Sequence, residues 1–169
     1  MEILTLTRLD SEQLRAAMRG WSAGVTVVAA SHEGQTHGMT VNSFTSISLD
    51  PAMITISLQG STRTHEIISK SRVFGLTILS KEQAAISDLF AGRTPEVTDR
   101  FAGVQTETLV TGSPFLVGGI AFLDCRVIQT FDAGMNTLFI SEVVAAKEGK
   151  AADPLIYHNR KYWSLSNIK

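Results

Sequence analysis

The chain has 169 residues, of which 44% are hydrophobic and 18% are charged, and its formal net charge is −1. This length suits one domain spanning 1–169 with a sizeable hydrophobic core. The chain lacks the basic excess that is typical of nucleic-acid binders and membrane-surface binders, so neither nucleic acid nor a membrane is an expected partner.

The first half of the chain alternates predicted strands with two short helices. Asp10 can cap a helix over 10–19, which Gly20 would end. A second helix is predicted over 62–69, after a start rich in Ser and Thr. Strands are predicted from β-branched runs and from alternation of apolar and polar residues, at 25–30, 36–48, 52–58 and 73–79.

The second half begins with the clearest helix, 81–90, where Ser80 and Gln83 form a capping box. After an irregular stretch, two long strands are predicted at 118–131 and 136–147, and a hairpin at 155–165 turns at Asn159. Long consecutive strands with short turns favour antiparallel pairing, and closure removes exposed edges. The predicted fold is therefore mainly β with short helices, an antiparallel sheet closed into a barrel.

The common catalytic and metal-binding signatures are missing from the sequence. None of the four histidines pairs with another histidine or with a cysteine at zinc-ligand spacing, so no metal site is predicted, although His32 and His37 flank a turn at Gly34. The sequence has no nucleophile elbow, no P-loop and no Rossmann glycine fingerprint. A nucleotide would therefore have to bind on a different scaffold.

Two further features bear on the cellular compartment. Cys125 is the only cysteine, which excludes an intramolecular disulfide, and its apolar surroundings favour a buried, unreactive thiol. No secretory signal and no bilayer-spanning stretch are visible in the sequence. We therefore expect a soluble cytoplasmic protein.

The segment 36–48 combines strand character with unusual polarity. More than half of its residues are Ser, Thr, Asn or His, although apolar strands flank it. It could be an edge strand that faces water. Alternatively it lines a ligand groove, where small hydroxyl side chains let a flat ring approach backbone groups.

A second polar stretch, 57–64, follows the end of a predicted strand. A turn at Gly60 leads into a helix start with Ser61, Thr62 and Arg63. Free N–H groups at a helix start and one arginine suit a phosphate. Ordinary N-capping by Ser61 or Thr62 explains the same hydroxyl groups.

The order of these segments resembles the flavin reductase-like family, whose members include the reductase components of two-component flavin-dependent monooxygenases. The strongest match, 38–51, is similar to the family's Gly-x-Thr-x-x-Ser-x-x-Ser-x-x-x-x-Pro signature. Further matches lie at 79–92, 100–103, 124–126 and 157–162. The resemblance implies a split β-barrel that binds FMN or FAD and forms a homodimer.

The resemblance also implies which residues hold the flavin and its hydride donor. The isoalloxazine ring would lie against Thr40, Val41, Asn42 and Ser43. The ribityl phosphate would be held by Ser57, Ser61, Thr62 and Arg63. Phosphate or, in FAD, the adenosine half would contact Phe90 and Arg93. The nicotinamide side would be bordered by Asn136, His158 and Tyr162.

One position departs from the family pattern. The family often carries Gly-Asp-His in the turn before a long strand, and this chain has Gly134, Met135 and Asn136 there. An asparagine can donate a hydrogen bond but cannot carry a positive charge. The substitution therefore bears on how nicotinamide is bound.

The implied activity is that of an NAD(P)H:flavin oxidoreductase, which transfers a hydride from NADH or NADPH to FMN or FAD and supplies reduced flavin to a partner monooxygenase. No catalytic side chain is required, because the cofactor carries the chemistry and the protein positions it. The alternative is a flavoredoxin-like electron carrier with tightly bound FMN and no direct reaction with NAD(P)H. The sequence leaves open the choice of flavin and of nicotinamide nucleotide.

Overall fold

The structure, a computed structural model, describes residues 9–165. In this part of the chain the helices are α1 (Ser11–Met18), α2 (Arg63–Ser71) and α3 (Ala84–Phe90), and a short 3₁₀ turn (Lys81–Gln83) precedes α3. The strands are β1 (Ala23–Gly24), β2 (Thr26–His32), β3 (Gln35–Val41), β4 (Thr45–Leu49), β5 (Ala52–Gln59), β6 (Val73–Ile78), β7 (Thr106–Thr108), β8 (Pro114–Leu116), β9 (Ala121–Ala133), β10 (Asn136–Glu148), β11 (Ile156–His158) and β12 (Lys161–Trp163).

Seven of these strands form one antiparallel sheet in the order β3-β2-β6-β9-β10-β5-β4. This arrangement confirms the prediction of a mainly β, antiparallel fold. Hydrogen bonding does not close the sheet, because β3 and β4 are its two opposite edges. Residues 42–44 connect the end of β3 to the start of β4, and such a link reaches at most about 14 Å, so these two strand ends lie near each other without pairing, as in a split barrel.

The hydrophobic core has two parts. Alternation along β5 turns Ile54, Ile56 and Leu58 inward, where they pack with residues of α2 and the neighbouring strands. A second cluster surrounds Phe90 of α3 and Leu155, beside the small sheet β1-β11-β12.

The prediction of one continuous strand over 36–48 is wrong. The chain leaves the sheet after Val41 and returns only at Thr45, which pairs with Thr55. In between, the Ser43 hydroxyl donates to the Ser57 carbonyl at 2.7 Å and accepts from the Ser57 amide at 3.3 Å. A side chain therefore replaces the backbone ladder at this point, which an alternation pattern cannot reveal.

Other predicted elements differ from the structure at their ends. The predicted helix 62–69 extends to Ser71 and ends where Arg72 adopts a left-handed conformation, with φ 60°. The predicted strand 118–131 begins three residues later, at Ala121, and extends to Ala133. The irregular stretch before it contains the short strands β7 and β8, which the sequence patterns missed.

Other local predictions are confirmed. The Asp10 carboxylate accepts a hydrogen bond from the Glu12 amide and caps α1, and Ser80 and Gln83 form their capping box. Asn159 has a φ of 46° in the turn of the last hairpin. Cys125 is fully buried, and this burial raises the pKa of its thiol.

Within residues 9–165, no helix has the length and apolar character that a membrane crossing requires.

Candidate functional site

A groove runs along the edge strand β3 and is bordered by α3, by the start of α2 and by the β11–β12 hairpin. Its central hollow, of about 160 Å³, is bordered by Thr40, Asn42 and Tyr162. A second hollow, of about 420 Å³, shares Thr40 with the first and continues to Thr62 and Arg63. The two hollows together offer an elongated site whose ends differ in chemistry. We call them the tyrosine end (Asn42, Asp88, Arg93, Tyr157, Tyr162) and the arginine end (His37, Thr62, Arg63, Arg100).

The arginine end is built around the start of α2. The Thr62 hydroxyl accepts a hydrogen bond from the His65 amide at 3.3 Å, so Thr62 is the N-cap, as the capping interpretation predicts. The cap places the exposed Arg63 side chain at the mouth of the groove, 3.4 Å from the Gln35 side-chain oxygen. Capping and a phosphate site are therefore compatible here, since a helix start attracts anions.

Arg100 brings a second positive charge to this end. Its Nη1 donates to the Gly38 carbonyl at 3.0 Å and to the Phe90 carbonyl at 2.8 Å, so the side chain bridges β3 and α3. Gly92 leaves room for it, because a Cβ there would lie 2.8 Å from Arg100 Nη2, and its φ of +72° also favours glycine. The guanidinium is therefore held in place before any ligand arrives.

His37 reflects both the burial and the positive charge of the arginine end. The pKa of His37 is lowered to about 4 by burial first, and then by the charges of Arg100 and Arg63. Its Nδ1 lies 2.8 Å from the Thr64 hydroxyl. Among residues 9–165, neither arginine forms an ion pair with a carboxylate. Two uncompensated guanidinium groups beside a helix start fit a phosphate ligand.

The tyrosine end is electrically balanced. Arg93 donates to the Asp88 carboxylate at 2.6 Å, and Tyr162 donates to the same carboxylate at 2.7 Å. Arg93 also donates to the Tyr157 hydroxyl at 3.2 Å and lies near the faces of both tyrosine rings. Burial is the main cause that raises the pKa of Tyr162, so its hydroxyl stays protonated. A neutral site with aromatic walls fits a flat heterocycle.

Thr40, Val41 and Asn42 border the central hollow, and Ser43 follows them in the link to β4. The Thr40 hydroxyl donates to the Ser87 carbonyl at 2.7 Å and so ties β3 to α3. Val41 is buried, whereas Asn42 is exposed at the edge of the groove. Ser43 is bonded to Ser57, as described above, and therefore holds the link between β3 and β4 against β5.

The three residues expected on the nicotinamide side are not brought together. The Asn136 amide donates to the Ser57 hydroxyl at 3.0 Å, on the β5 wall. Tyr162 lies at the tyrosine end. His158 lines a separate hollow with Trp163, and its Nδ1 is 2.9 Å from the Ser22 hydroxyl.

The remaining expected residues have different surroundings. Phe90 is fully buried under the arginine end, and its ring packs edge-on against Phe101 with centroids 5.1 Å apart. Ser61 is exposed in an outer hollow that Thr62 and Arg63 also line. Arg93 belongs to the tyrosine end and lies away from the start of α2.

Sequence reasoning missed several residues of the groove. His37 was considered only as a metal ligand beside His32, but His37 pairs with Ala30 and His32 pairs with Gln35. Arg100 lies in the matched stretch 100–103, and that match is the signal that could have found it. No local pattern points to Ser87, Asp88 and Tyr157, because their role depends on tertiary contacts.

The chain belongs to the flavin reductase-like family, since residues 18–166 match the family model described as "Flavin reductase like domain". The predicted resemblance is therefore confirmed. The match extends from the end of α1 to beyond the last strand and includes both ends of the groove.

Named relatives agree with this assignment. The chain is 33% identical over 158 residues to the FMN reductase (NADH) RutF of Ancylobacter novellus, a match that covers 94% of this chain and 87% of that protein. It is 37% identical over 157 residues to the NADH-dependent flavin reductase StyB of Pseudomonas fluorescens, covering 91% and 89%. The structure of the styrene monooxygenase flavin reductase from Pseudomonas putida S12 superposes with a TM-score of 0.83, at 34% identity, over 93% of this chain and 99% of that one.

Proposed function

We propose that this chain is an NAD(P)H-dependent flavin reductase that binds flavin along the groove and supplies reduced flavin to a partner monooxygenase. The ring system lies at the tyrosine end and the phosphate at the arginine end. The observation that carries this proposal is the pair of uncompensated guanidinium groups, Arg63 and Arg100, at one end of a groove whose other end is neutral and aromatic.

The residues present fit a flavin nucleotide at both ends. A phosphate can accept hydrogen bonds from Arg63 and also from Arg100, whose guanidinium is already held by two carbonyl groups. The tyrosine end offers the Tyr157 and Tyr162 rings and the polar Asn42 side chain. Asn42 can donate or accept at a uracil-like ring edge.

The protein contributes binding and orientation. A flavin, when bound, would supply the hydride acceptor for the reduced nicotinamide, which is chemistry that side chains do not supply. Thr40 and Arg100 hold β3 against α3, and so keep the groove at constant width. The Asp88–Arg93 pair and the protonated Tyr162 hydroxyl keep this part of the site free of net charge. Constant geometry of this kind is what a positioning mechanism needs.

Rapid anaerobic mixing tests the proposed activity. Protein loaded with FMN or with FAD is mixed with NADH or with NADPH, and the visible absorbance of the oxidised flavin is followed. Fast bleaching with at least one combination is the expected result, and the four rates rank the flavins and the donors. Protein that takes up flavin but is bleached by neither nucleotide would instead be an electron carrier.

We also propose that the chain acts as a single domain and forms a homodimer. Apolar side chains are exposed on α1 and at the β9–β10 turn, where Leu14 is 53% and Met135 is 77% accessible. Burying such apolar surface between two copies of the chain is favourable. Sedimentation at two concentrations should give twice the chain mass, and a monomer at both would contradict the proposal. A cytoplasmic location, consistent with a buried free thiol, is testable by fractionation.

A further inference from the structure

A third hollow adjoins the groove beyond the tyrosine end. It has a volume of about 510 Å³ and is lined by residues of α1, by Trp21 and by the β11–β12 turn. We call it the α1 pocket. It shares Asn42 and Tyr157 with the tyrosine end, so a ligand can extend from one into the other. The volume is within the range of small-molecule sites.

The α1 pocket carries an excess of positive charge. Arg15 and Arg19 are four residues apart, a spacing that puts two helical side chains on one face, and Arg160 joins them from the β11–β12 turn. Glu12 is the one carboxylate that the described residues contribute to the lining, and it pairs with Arg15. Within residues 9–165, Arg19 and Arg160 form no ion pair. Two positive charges are therefore available to an anionic ligand.

The Arg160 backbone is held by a tight hairpin. Asn159 and Arg160 have φ values of 46° and 63°, the pair of positive values that a two-residue type I′ turn requires. Tyr157 and Tyr162, which pair across this hairpin, are both bonded to Arg93. The position of Arg160 is therefore coupled to the tyrosine end of the groove.

An exposed indole completes the α1 pocket. Trp21 is 66% accessible, which is unusual for the largest aromatic side chain, and it lines the same hollow as the arginines. Indole rings are effective stacking surfaces for nucleobases. An aromatic face beside two available guanidinium groups is the combination that recognises an adenine nucleotide.

We propose that the α1 pocket binds the adenosine phosphate portion of the hydride donor, with Arg19 and Arg160 contacting its phosphate groups and Trp21 its adenine. This inference rests on the proposed function. The flavin phosphate lies at the opposite end of the groove, near Arg63 and Arg100, so the α1 pocket remains available to the donor. A donor whose nicotinamide stacks on the flavin ring at the tyrosine end reaches the α1 pocket past Asn42 and Tyr157. The phosphate contacted is the pyrophosphate or, in NADPH, the 2′-phosphate.

Steady-state kinetics and direct binding test the proposal together. The variants are Arg19→Ala and Arg160→Ala, and the matched control is Arg126→Ala, which removes an exposed arginine from β9. KM for the preferred nucleotide should rise at least tenfold in each variant, with a smaller fall in kcat. Calorimetry on oxidised, flavin-loaded protein should show the same loss of affinity for NAD⁺ or NADP⁺, which cannot reduce the flavin. The control should match the unaltered protein in both measurements.

The possible results separate the proposal from its rivals. A loss confined to NADPH and NADP⁺ assigns the two arginines to the 2′-phosphate, and an equal loss for both donors assigns them to the pyrophosphate. An unchanged KM in variants of an active enzyme overturns the inference and leaves the proposed function intact. A weaker affinity for FAD with unchanged KM for the donor would assign the α1 pocket to the flavin adenosine and would also overturn it. Absence of NAD(P)H oxidation by the unaltered protein would instead contradict the proposed function.

Discussion

The two ends of the groove use arginine in opposite ways. At the tyrosine end, Arg93 is neutralised by Asp88 at 2.6 Å and enclosed by two tyrosine hydroxyls. At the arginine end, Arg100 donates, among residues 9–165, only to the carbonyl groups of Gly38 and Phe90. A carbonyl orients a guanidinium without cancelling its charge, whereas a carboxylate does both.

This difference shows how to distinguish a structural arginine from one that binds a ligand. The charge of an arginine paired with a carboxylate is largely neutralised within the protein. An arginine that is bonded only to carbonyls keeps a net charge that an anion can neutralise. Burial is the main cause of the low pKa of His37, and the charges of Arg100 and Arg63 lower it further.

The largest expected effect is on Arg100. Arg100→Ala should weaken FMN binding by about 2–3 kcal/mol, because it removes a held, charge-assisted donor to the phosphate. This corresponds to roughly 30- to 150-fold in the dissociation constant, measured by fluorescence titration. Arg100→Lys retains the charge but not the bidentate geometry. Its affinity for FMN should therefore lie between those of the unaltered protein and Arg100→Ala. Equal affinity in all three proteins would remove Arg100 from the site.

A smaller effect is expected for Arg63, because its side chain is exposed. Arg63→Ala should weaken FMN binding by about 1–2 kcal/mol, since solvent screens part of the interaction. The matched control is Lys70→Ala on the same helix, because Lys70 is already paired with Glu66 at 2.6 Å. If the control weakens FMN binding as much as Arg63→Ala does, general surface charge is responsible and the contrast between the two ends fails.

His37 should make stability depend on pH in the protein without flavin. Its pKa is lowered from 6.5 to about 4, so between these values the unfolded chain binds a proton that the folded chain does not. The free energy of unfolding should therefore decrease as pH falls from 6.5 towards 4. Above pH 6.5 the stabilisation that is lost at low pH should be fully present. Because His37 is half-buried, the expected loss is about 1 kcal/mol.

Denaturant unfolding at several pH values checks this expectation. His37→Gln can keep a hydrogen bond to the Thr64 hydroxyl but does not titrate in this range. The variant should therefore lose less stability than the unaltered protein on going from pH 7 to pH 4.5. Parallel stability curves for the two proteins would mean that His37 titrates normally. The arginine end would then be less electropositive than the lowered pKa of His37 indicates.

The smallest effect is expected when the Asp88–Arg93 pair is removed as a unit. The double variant Asp88→Asn, Arg93→Gln leaves the net charge of the tyrosine end unchanged, so FMN affinity should change by less than about threefold. Arg93→Gln alone leaves the Asp88 carboxylate uncompensated, so it should change FMN affinity more than the double variant does. A tenfold loss in the double variant would show that Arg93 binds the flavin directly.

The sequence predicted much of the fold because strong local patterns coincide with the tertiary structure. β10 begins at Asn136, as predicted, and both capping motifs form where the residue types indicated. Alternation predicted the strand 52–58, which the structure contains as β5, one residue longer. The closure of the sheet was not predictable in detail, because the Ser43–Ser57 contact that interrupts the strand at 42–44 depends on a partner 14 residues away.

The groove residues that lie in a sequence motif were predictable, whereas those brought together only by tertiary contacts were not. The polar segment around Thr40 and the start of α2 at Thr62 were both found from residue type and position. The contacts of Asp88 with Arg93 and Tyr162 join α3 to the last hairpin, across 74 residues in the case of Tyr162. No sequence pattern encodes such a contact, and the same is true of Arg100, which reaches Gly38 from 62 residues away.

The most direct test compares FMN with riboflavin, which has the same ring system but no phosphate. If the groove holds the ring at the tyrosine end and the phosphate at the arginine end, FMN should bind the unaltered protein at least tenfold more tightly than riboflavin. This preference should largely disappear in the double variant Arg63→Ala, Arg100→Ala, while riboflavin affinity stays within about threefold. Equal affinity for the two flavins in the unaltered protein would contradict the assignment of the arginine end to the phosphate.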